Sequence, residues 1–424
     1  MNERQMEEFI ETASCRGSVM GLDSIKNLLE KMDNPQDKLK YIHIAGTNGK
    51  GSTLAFISTV LKCAGYKVGR YISPVIREYR EKIQINGRMI SKKDILEGMS
   101  YIKEKCDELE KEGKAAPTIF EIETALAFWY FLKKSCDIVV LETGMGGKDD
   151  ATNIIKAPIA SVICHISMDH MAILGNTLAK IAEVKAGIIK NGSSVVIGRQ
   201  LPEVEAVIQT ACEKNNADLH IAGEASLVRA GRNILTLNYK GHKVVKIKLL
   251  GEYQLYNAAV ALETIDLLAE KGFHIPEEAI MQGMGETEWY GRFSVICKKP
   301  LTVVDGAHNE AAAVQLMKSV HMYIKDVPLI YVMGVFRDKE YEKIIEITCP
   351  YAAHIVTLAT PDNPRALSAI ELAEAVRSVN PNVTAASSVE EAVEMAKLLA
   401  GDKCAIVAFG SLSFLGRIES CFKN

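Results

Sequence analysis

A glycine-rich turn that contains a lysine and a serine lies near the start of the sequence, between an apolar run and a helical pattern. Such a turn presents backbone N–H groups and the positive end of a helix, which together suit an anion. Lys50 adds a point charge for the β- and γ-phosphates of a nucleotide, and the Ser52 hydroxyl is suited to Mg²⁺. The turn predicts ATP binding by Gly46, Thr47, Asn48, Gly49, Lys50, Gly51 and Ser52.

The spacing of this turn departs from the strict P-loop pattern. Ile44 stands six residues before Lys50, and Gly51 intervenes before Ser52. A structural strand-to-helix turn would account for Gly46 and Gly49. It would not account for the Gly-Lys-Gly-Ser-Thr run in the same place, so phosphate binding is the favoured interpretation.

Two further candidates follow apolar runs that predict buried parallel strands. Glu142 comes directly after residues 137–141, and His170 follows residues 159–164. Open α/β sheets bind ligands at the carboxyl ends of such strands, and a carboxylate is a ligand that Mg²⁺ prefers. By themselves, Glu142 would be interpreted as a solvated acid and His170 as a structural histidine. Together with Ser52 they are metal candidates, because three predicted strands would deliver the three side chains to one sheet edge.

The elements that position these residues follow from the hydrophobic pattern. Continuous apolar runs are typical of parallel strands buried on both faces, and strands that alternate with helices predict an α/β fold. Strands are predicted at residues 41–45, 137–141, 159–164, 302–305, 328–333, 353–357 and 404–409, and helices at 53–64, 177–190 and 310–325. We predict an N-terminal P-loop ATPase domain with a mostly parallel sheet at 1–290. A smaller C-terminal Rossmann-like α/β domain at 298–424 would follow a boundary at 289–300.

Composition limits the class of protein further. A chain of 424 residues exceeds what one hydrophobic core usually supports, so more than one domain is expected. A net charge of -3 argues against a nucleic-acid partner that needs a basic surface. The ten cysteines show no Cys-x-x-Cys spacing, which favours buried reduced thiols. We expect neither a targeting peptide nor a membrane span, and therefore a cytoplasmic protein.

Motifs over most of the chain together resemble the folylpolyglutamate synthase and dihydrofolate synthase family of the Mur ligase superfamily. The segments that carry this resemblance are Asn34-Pro35, 41–52, Ser73-Pro74, 81–87, Phe120-Glu121, 142–147, 150–153, Asp169-His170, 173–175, 183–190, 257–259, 291–293, 305–309, Asp338-Lys339, Arg365-Ala366 and Gly410-Ser411. The family is one of two-domain ligases. The resemblance implies that ATP phosphorylates a substrate carboxylate and that the amine of L-glutamate attacks the acyl phosphate.

The resemblance also assigns roles in metal and nucleotide binding. Ser73, Glu142 and His170 are similar to the Mg²⁺ ligands of the family, which holds up to two ions. Lys185, which as a helix lysine would be exposed by default, is similar to the lysine that is carbamylated and then acts as a ligand. Asn257, Arg292 and Asp305 are similar to residues that contact ATP.

The remaining assignments concern the other substrates. His308 and Ser411 are similar to residues that position the incoming glutamate, and His308 joins Lys50 and Lys185 as a catalytic candidate. The segment containing Phe120, and the pair Asp150 and Ala151, are similar to the dihydropteroate-binding regions of bifunctional members. We therefore expect an enzyme that accepts both folate and dihydropteroate. We also expect the enzyme to be a monomer. Two positions differ from the family pattern: Val75 replaces a frequent histidine, and Lys82 replaces a more usual arginine.

Two alternatives compete with this interpretation. A cell-wall Mur ligase carries a UDP-binding domain before its P-loop, but only 45 residues precede Gly46, fewer than most domains need. A P-loop nucleotide switch would not need a second α/β domain containing Asp305, His308 and Ser411. Phosphate release that depends on both acceptor and glutamate would distinguish a ligase from a switch.

Overall fold

The computed structural model describes residues 1–17, 19 and 21–423. Within these residues the strands are β1 (Tyr41–Ala45), β2 (Val68–Tyr71), β3 (Ile83–Ile85), β4 (Arg88–Met89), β5 (Ile138–Glu142), β6 (Ala160–Ile163), β7 (Ser194–Ile197), β8 (Asp218–Ile221), β9 (Ser226–Ala230), β10 (Leu235–Tyr239), β11 (His242–Ile247), β12 (Ser294–Lys298), β13 (Leu301–Val304), β14 (Leu329–Met333), β15 (Ala352–Thr357), β16 (Val383–Ala385) and β17 (Ala405–Phe409). They form three sheets.

The α-helices lie between and over these strands. In chain order they are α1 (Glu3–Ser14), α2 (Asp23–Lys31), α3 (Lys50–Cys63), α4 (Lys92–Lys111), α5 (Ile119–Lys133), α6 (Met171–Leu174), α7 (Leu178–Ala186), α8 (Pro202–Lys214), α9 (Tyr253–Glu270), α10 (Glu277–Glu286), α11 (Glu310–Tyr323), α12 (Tyr341–Thr348), α13 (Ala369–Arg377), α14 (Val389–Ala400) and α15 (Leu415–Lys423). No helix in this part of the chain is both long and apolar enough to cross a membrane.

The largest sheet has the order β4-β3-β2-β5-β1-β6-β7-β8, and all its pairs are parallel except those made by β3 and β4. Alternate residues of β1 point to opposite faces. Ile42 and Ile44 pack in the cluster that contains α3 and α9, whereas Tyr41 packs in the cluster that contains α5. Both faces are therefore covered, as the continuous apolar runs predicted. The carboxyl ends of β1, β5 and β6 meet at one edge.

The sheet of the C-terminal domain has six strands in the order β12-β13-β17-β14-β15-β16, and only β12 is antiparallel to its neighbour. Tyr331 and Met333 of β14 pack in one apolar cluster, and Ile330 and Val332 pack in the cluster on the opposite face. The predicted fold class, a mostly parallel P-loop domain followed by a smaller α/β domain, is confirmed. The smaller sheet begins at Ser294, within the predicted boundary at 289–300 and before the predicted domain start at 298.

Several local predictions need correction. The sequence pattern did not reveal the antiparallel sheet β11-β10-β9, whose strands are short and partly exposed. The helix predicted at 177–190 ends at Ala186, because Gly187 caps it and the chain turns there. All ten cysteines are free, but only Cys136, Cys164, Cys212 and Cys349 are buried, so the prediction of buried thiols was too general.

Candidate active site

The glycine-rich turn connects β1 directly to α3. The helix begins at Lys50, three residues earlier than the predicted start at residue 53, so the first-turn N–H groups lie within the motif itself. Gly49 has φ of 90°, a left-handed conformation that favours glycine. Thr47 and Asn48 both donate their backbone N–H to the carbonyl of His165, which anchors the turn to the chain after β6. The turn is therefore a preformed anion site at a helix N-terminus.

The extra glycine of the motif has a packing reason. A β carbon on Gly51 would lie 2.7 Å from the ring of Trp289, so only glycine fits against this ring. Ser52 is almost completely buried and accepts a hydrogen bond from Gln254 at 3.3 Å. The Gln254 side chain in turn accepts from Asn257 at 2.9 Å. Helix α9 therefore contacts the loop from behind and brings Asn257 to it.

Lys50 and Lys185 meet at one backbone oxygen. The Nζ atom of Lys185 donates to the carbonyl of Gly46 at 2.9 Å, and Lys50 Nζ approaches the same carbonyl at 3.2 Å. Lys185 is buried, contrary to the default for a helix lysine. Burial, together with the neighbouring charge of Lys50, lowers the pKa of Lys185 to about 7. Burial therefore favours the neutral amine form of Lys185 over the charged form.

Glu142 is the last residue of β5 and is buried at the edge of the sheet. Burial raises its pKa to about 7, although the charges of Lys50 and Arg292 and the backbone N–H of Ser73 act in the opposite direction. The Oγ atom of Ser73 is also buried, and no residue in the described part of the chain forms a hydrogen bond with it. A buried carboxyl and an unpaired hydroxyl side by side are suited to a bound cation.

His170 lies in a group of ionisable side chains from both domains. Asp169 forms an ion pair with Lys339 and lies 3.5 Å from His308 Nε2. Burial acts to raise the pKa of Asp169, but His308 and Lys339 outweigh it and hold the pKa below its ordinary value. Burial lowers the pKa of His170 to about 4, which leaves a neutral imidazole that can bind a metal.

Amide side chains connect the same two domains beside this group. Asn48 of the glycine-rich turn and Asn309 at the start of α11 contact each other, with nitrogen to oxygen distances of 3.3 Å in both directions. Asn309 also donates to Asp169 at 3.3 Å. Asn309 thus contacts both the glycine-rich turn, called the phosphate turn below, and the segment that carries His170.

Asp305 has a different environment from Glu142. It follows β13 and accepts hydrogen bonds from the backbone N–H groups of Phe293 at 2.7 Å and Ala307 at 2.8 Å, and from the Tyr253 hydroxyl at 3.0 Å. Burial raises the pKa of both carboxyl groups, and the adjacent Arg292 lies close enough to both to oppose that rise. Asp305 therefore fixes the segment that joins the two domains and carries Arg292.

The remaining glutamate-side candidates lie on neighbouring C-terminal loops. Nδ1 of His308 is 2.7 Å from the carbonyl of Gly306, which fixes the ring plane. Ser411 follows β17, is buried, and accepts a hydrogen bond from the backbone of Ser413 at 3.3 Å. The structure thus brings His308 and Ser411 to the same cavity as the phosphate turn.

The proposed acceptor side of the cavity is built around Asp150. Its carboxylate accepts the Met145 N–H at 2.8 Å and the N–H and hydroxyl of Thr152 at 3.0 and 2.5 Å. Ala151 follows it in a buried turn. Phe120, in the first turn of α5, packs against Gly144. Asp150 therefore organises the loop after β5, and Phe120 and Ala151 supply apolar surface beside it.

One cavity connects all of these groups. It encloses about 1380 Å³, and both domains line it. Pockets for a single small ligand usually measure about 300–1,000 Å³, so this volume suits more than one substrate. The sequence-predicted residues of the phosphate turn, the strand ends and the C-terminal loops all line it.

The donor set fits a metal bound together with phosphate. Among the described residues no three His, Cys, Asp or Glu side chains form a group that could hold a metal alone. Mg²⁺ typically takes one or two carboxylates and completes its shell with water and substrate phosphates. Glu142, the buried Ser73 hydroxyl and neutral His170 match that requirement beside a phosphate turn.

Comparison with known proteins now decides the family. Residues 44–265 match the Mur ligase middle domain, and residues 291–412 match the Mur ligase glutamate ligase domain. The dihydrofolate synthase/folylpolyglutamate synthase of Bacillus subtilis strain 168 is 34% identical over 412 residues, which cover 95% of each chain. The chain belongs to the folylpolyglutamate synthase/dihydrofolate synthase family. It is an ATP-dependent Mur-type ligase, as the sequence predicted, and neither alternative is supported.

Solved structures agree with this assignment. Mycobacterium tuberculosis folylpolyglutamate synthase complexed with ADP and AMPPCP has a TM-score of 0.91 at 29% identity, covering 99% of this chain and 98% of the other. A folylpolyglutamate synthase complex with AMPPCP and folate has a TM-score of 0.86 at 28% identity, with complete coverage of both chains. The chain therefore shares its whole two-domain arrangement with relatives whose structures contain bound nucleotide.

Sequence reasoning missed several residues that line or support the site. Asp169 and Lys339 both belong to motifs of the family resemblance, but the resemblance assigns neither of them a role. The position of Asp169 next to His170 after a strand is a signal for such a role, whereas the charged stretch around Lys339 offers none. Tyr253, Gln254 and Trp289 contact the site from helix α9 and the linker, and nothing in their sequence spacing indicates this.

Proposed function

We propose that this enzyme adds L-glutamate to a reduced folate and to dihydropteroate. The single observation that best supports this is the shared cavity, which is lined by the glycine-rich turn, by Phe120 of the N-terminal domain and by His308 and Ser411 of the C-terminal domain. The names of the relatives support the same substrates.

The chemistry follows from the weakness of a carboxylate as an acyl donor. A carboxylate oxygen of the acceptor attacks the γ-phosphorus of ATP, and ADP leaves with the electrons of the broken P–O bond. The glutamate amine then attacks the acyl carbon, loses a proton, and displaces inorganic phosphate. Lys50 would neutralise charge that collects on the phosphoryl oxygens. Asn257, Arg292 and Asp305 would hold the nucleotide, the last through the linker that it fixes.

We also propose that Ser73, Glu142, His170 and Ser52 hold Mg²⁺, which would shield phosphate charge, and that two ions can be accommodated. Carbamylated Lys185 would supply a further oxygen ligand. Carbamylation forms an N–C bond between a neutral amine and carbon dioxide and releases a proton. The lowered pKa of buried Lys185 supports this step, because the amine is partly neutral near pH 7.

His308 is proposed to orient the incoming amine, and Ser411 to bind its carboxylate side. The support for this is that both residues lie on C-terminal loops that line the same cavity as the glycine-rich turn. The proposed domain limits of 1–290 and 298–424, the monomeric state and the cytoplasmic location also stay predictions.

The test offers the purified protein ATP, Mg²⁺ and glutamate with dihydropteroate or tetrahydrofolate in separate reactions. Mass spectrometry should show products heavier by whole glutamate residues in both reactions, with equal amounts of phosphate released. Glutamylation of tetrahydrofolate alone would remove the dihydropteroate activity from the proposal. Phosphate release without any glutamylated product would contradict the ligase assignment for both substrates.

A further inference from the structure

Residues 73–82 form a closed loop at the edge of the N-terminal sheet. The loop leaves after β2 with Ser73 and returns before β3, and the Ile72 N–H donates to the Lys82 carbonyl across its base at 3.0 Å. Inside the loop, the Glu81 carboxylate accepts the backbone N–H groups of Ile76 at 2.9 Å and Arg77 at 3.2 Å. These bonds make the loop a single unit, so a shift of its tip also moves Ser73.

The tip of this loop packs in the C-terminal domain. Ile76 lies against the buried apolar cluster that contains Leu412, Leu415 and Ile418. Its carbonyl approaches Gly416 of α15 so closely that a β carbon there would lie 2.5 Å away. A loop of the N-terminal domain therefore completes the packing of the C-terminal one.

Arg77 adds a directional contact at the same place. Its guanidinium lies 4.1 Å from the centre of the Tyr290 ring, and its Nε donates to Glu419 of α15 at 2.7 Å. The Tyr290 hydroxyl donates to the Leu415 carbonyl at 3.0 Å. Arg77 thus joins the loop to both the interdomain linker and the last helix. Glu419 is buried but solvent still reaches Arg77, so the pair contributes little stability and chiefly fixes geometry.

We propose that Ile76 and Arg77 are positioning residues that place Ser73 at the metal site when the C-terminal domain is seated. This inference rests on the proposed function, which makes Ser73 a Mg²⁺ ligand. Only two residues separate Ser73 from Ile76, and the hydrogen bonds to Glu81 restrict how the intervening chain can bend. Metal binding and domain seating then favour each other, because coupling between two equilibria is reciprocal.

The experiment measures metal affinity directly in the full chain. Mn²⁺ replaces Mg²⁺, and electron paramagnetic resonance titration gives its affinity in the presence of the ATP analogue AMPPCP. Arg77→Ala should weaken Mn²⁺ binding about three- to tenfold, since it removes both an ion pair and a cation–π contact. Arg77→Lys should recover part of the affinity. Arg77→Ala combined with Glu419→Gln should match Arg77→Ala alone, because contacting residues are not additive.

Lys423→Ala is the matched control. Lys423 Nζ lies 2.7 Å from the other oxygen of Glu419, but it belongs to α15 itself. Its loss should change Mn²⁺ affinity less than about twofold, the effect expected of an exposed pair. Thermal unfolding should show that all variants are folded.

Unchanged Mn²⁺ affinity in folded Arg77→Ala would overturn the positioning role while leaving the proposed function intact. An equal loss in Lys423→Ala would also overturn it, because a general effect of charge on α15 would then explain the result. Failure of the wild-type protein to bind Mn²⁺ with the analogue would overturn the metal assignment and this inference together.

Discussion

The strand ends of the two α/β sheets each place a buried carboxylate at the interdomain cavity, but the two groups differ in their partners. Asp305 accepts three hydrogen bonds from Phe293, Ala307 and Tyr253. Glu142 lies beside the Ser73 N–H and accepts no side-chain donor within the described chain. Burial raises the pKa of both, and for Glu142 it does so to about 7.

From this difference we infer that Asp305 is a structural carboxylate and that Glu142 requires a bound ligand. A buried charge without partners is costly, and it persists where a ligand supplies the compensation. Among the described residues, Ser73 Oγ has no hydrogen-bond partner, Glu142 has no side-chain donor, and Lys185 Nζ donates to a single backbone carbonyl. Asp305 is satisfied internally and fixes the linker. We therefore expect the N-terminal edge to bind the charged ligands and the C-terminal edge to position one domain against the other.

Lys50→Ala tests the N-terminal edge and should have the largest effect. The rate of glutamylation should fall by about 10³-fold, because backbone N–H groups alone cannot neutralise the transferring phosphoryl group. Among the residues that the structure describes, Lys50 donates only to carbonyls of its own turn, so thermal unfolding should change little. Steady-state kinetics and a thermal melt measure the two quantities. Near-normal turnover would contradict the role of the turn in phosphate transfer.

Lys185→Ala should reduce the rate by about 10²-fold, because the proposed carbamate ligand is lost while Lys50 remains. Small carboxylates such as acetate, added at high concentration, should restore part of the activity by occupying the same place. Lys180→Ala, on the exposed part of α7, provides a control that should behave like wild type. The carbamate would be contradicted if no carboxylate restored activity to Lys185→Ala and if the wild type were equally active with and without carbon dioxide in the buffer.

Glu142→Gln should alter the pH dependence of stability in the metal-free protein. Because burial raises the pKa of Glu142 in the folded state from its ordinary value of 4.5 to about 7, the folded state binds more protons than the unfolded state between these values. Stability of the wild type should therefore decrease from about pH 4.5 to 7, by as much as about 3 kcal/mol, and stay level above that range. Chemical unfolding of both proteins in EDTA at several pH values measures this.

The glutamine variant should lack that decrease and should be at least as stable as wild type at pH 8. Its activity should nevertheless be low, since it lacks the metal carboxylate. Parallel pH profiles for the two proteins would show that Glu142 is satisfied as fully as Asp305, which would remove the contrast between the two edges.

The sequence predicted the parts of the site that one sheet edge determines. Parallel strands deliver their carboxyl ends to one edge, so the turn at Lys50, Glu142 and His170 could be placed together without coordinates. Contacts between domains could not be placed in this way. Asp169 with Lys339 and Arg77 with Glu419 join residues far apart in the chain, and each depends on how the two sheets are seated. No local pattern encodes that geometry.

Asp305→Asn tests the C-terminal edge and should have the smallest effect on the chemistry. The amide would turn an N–H group toward one of the three present donors, so the free energy of unfolding should fall by about 1–3 kcal/mol. Because the linker carrying Arg292 would lose its anchor, the KM for ATP should rise more than kcat falls. Chemical denaturation and steady-state kinetics measure both effects. A fall in kcat as large as that of Lys50→Ala, with stability unchanged, would instead place Asp305 among the groups that act on phosphate.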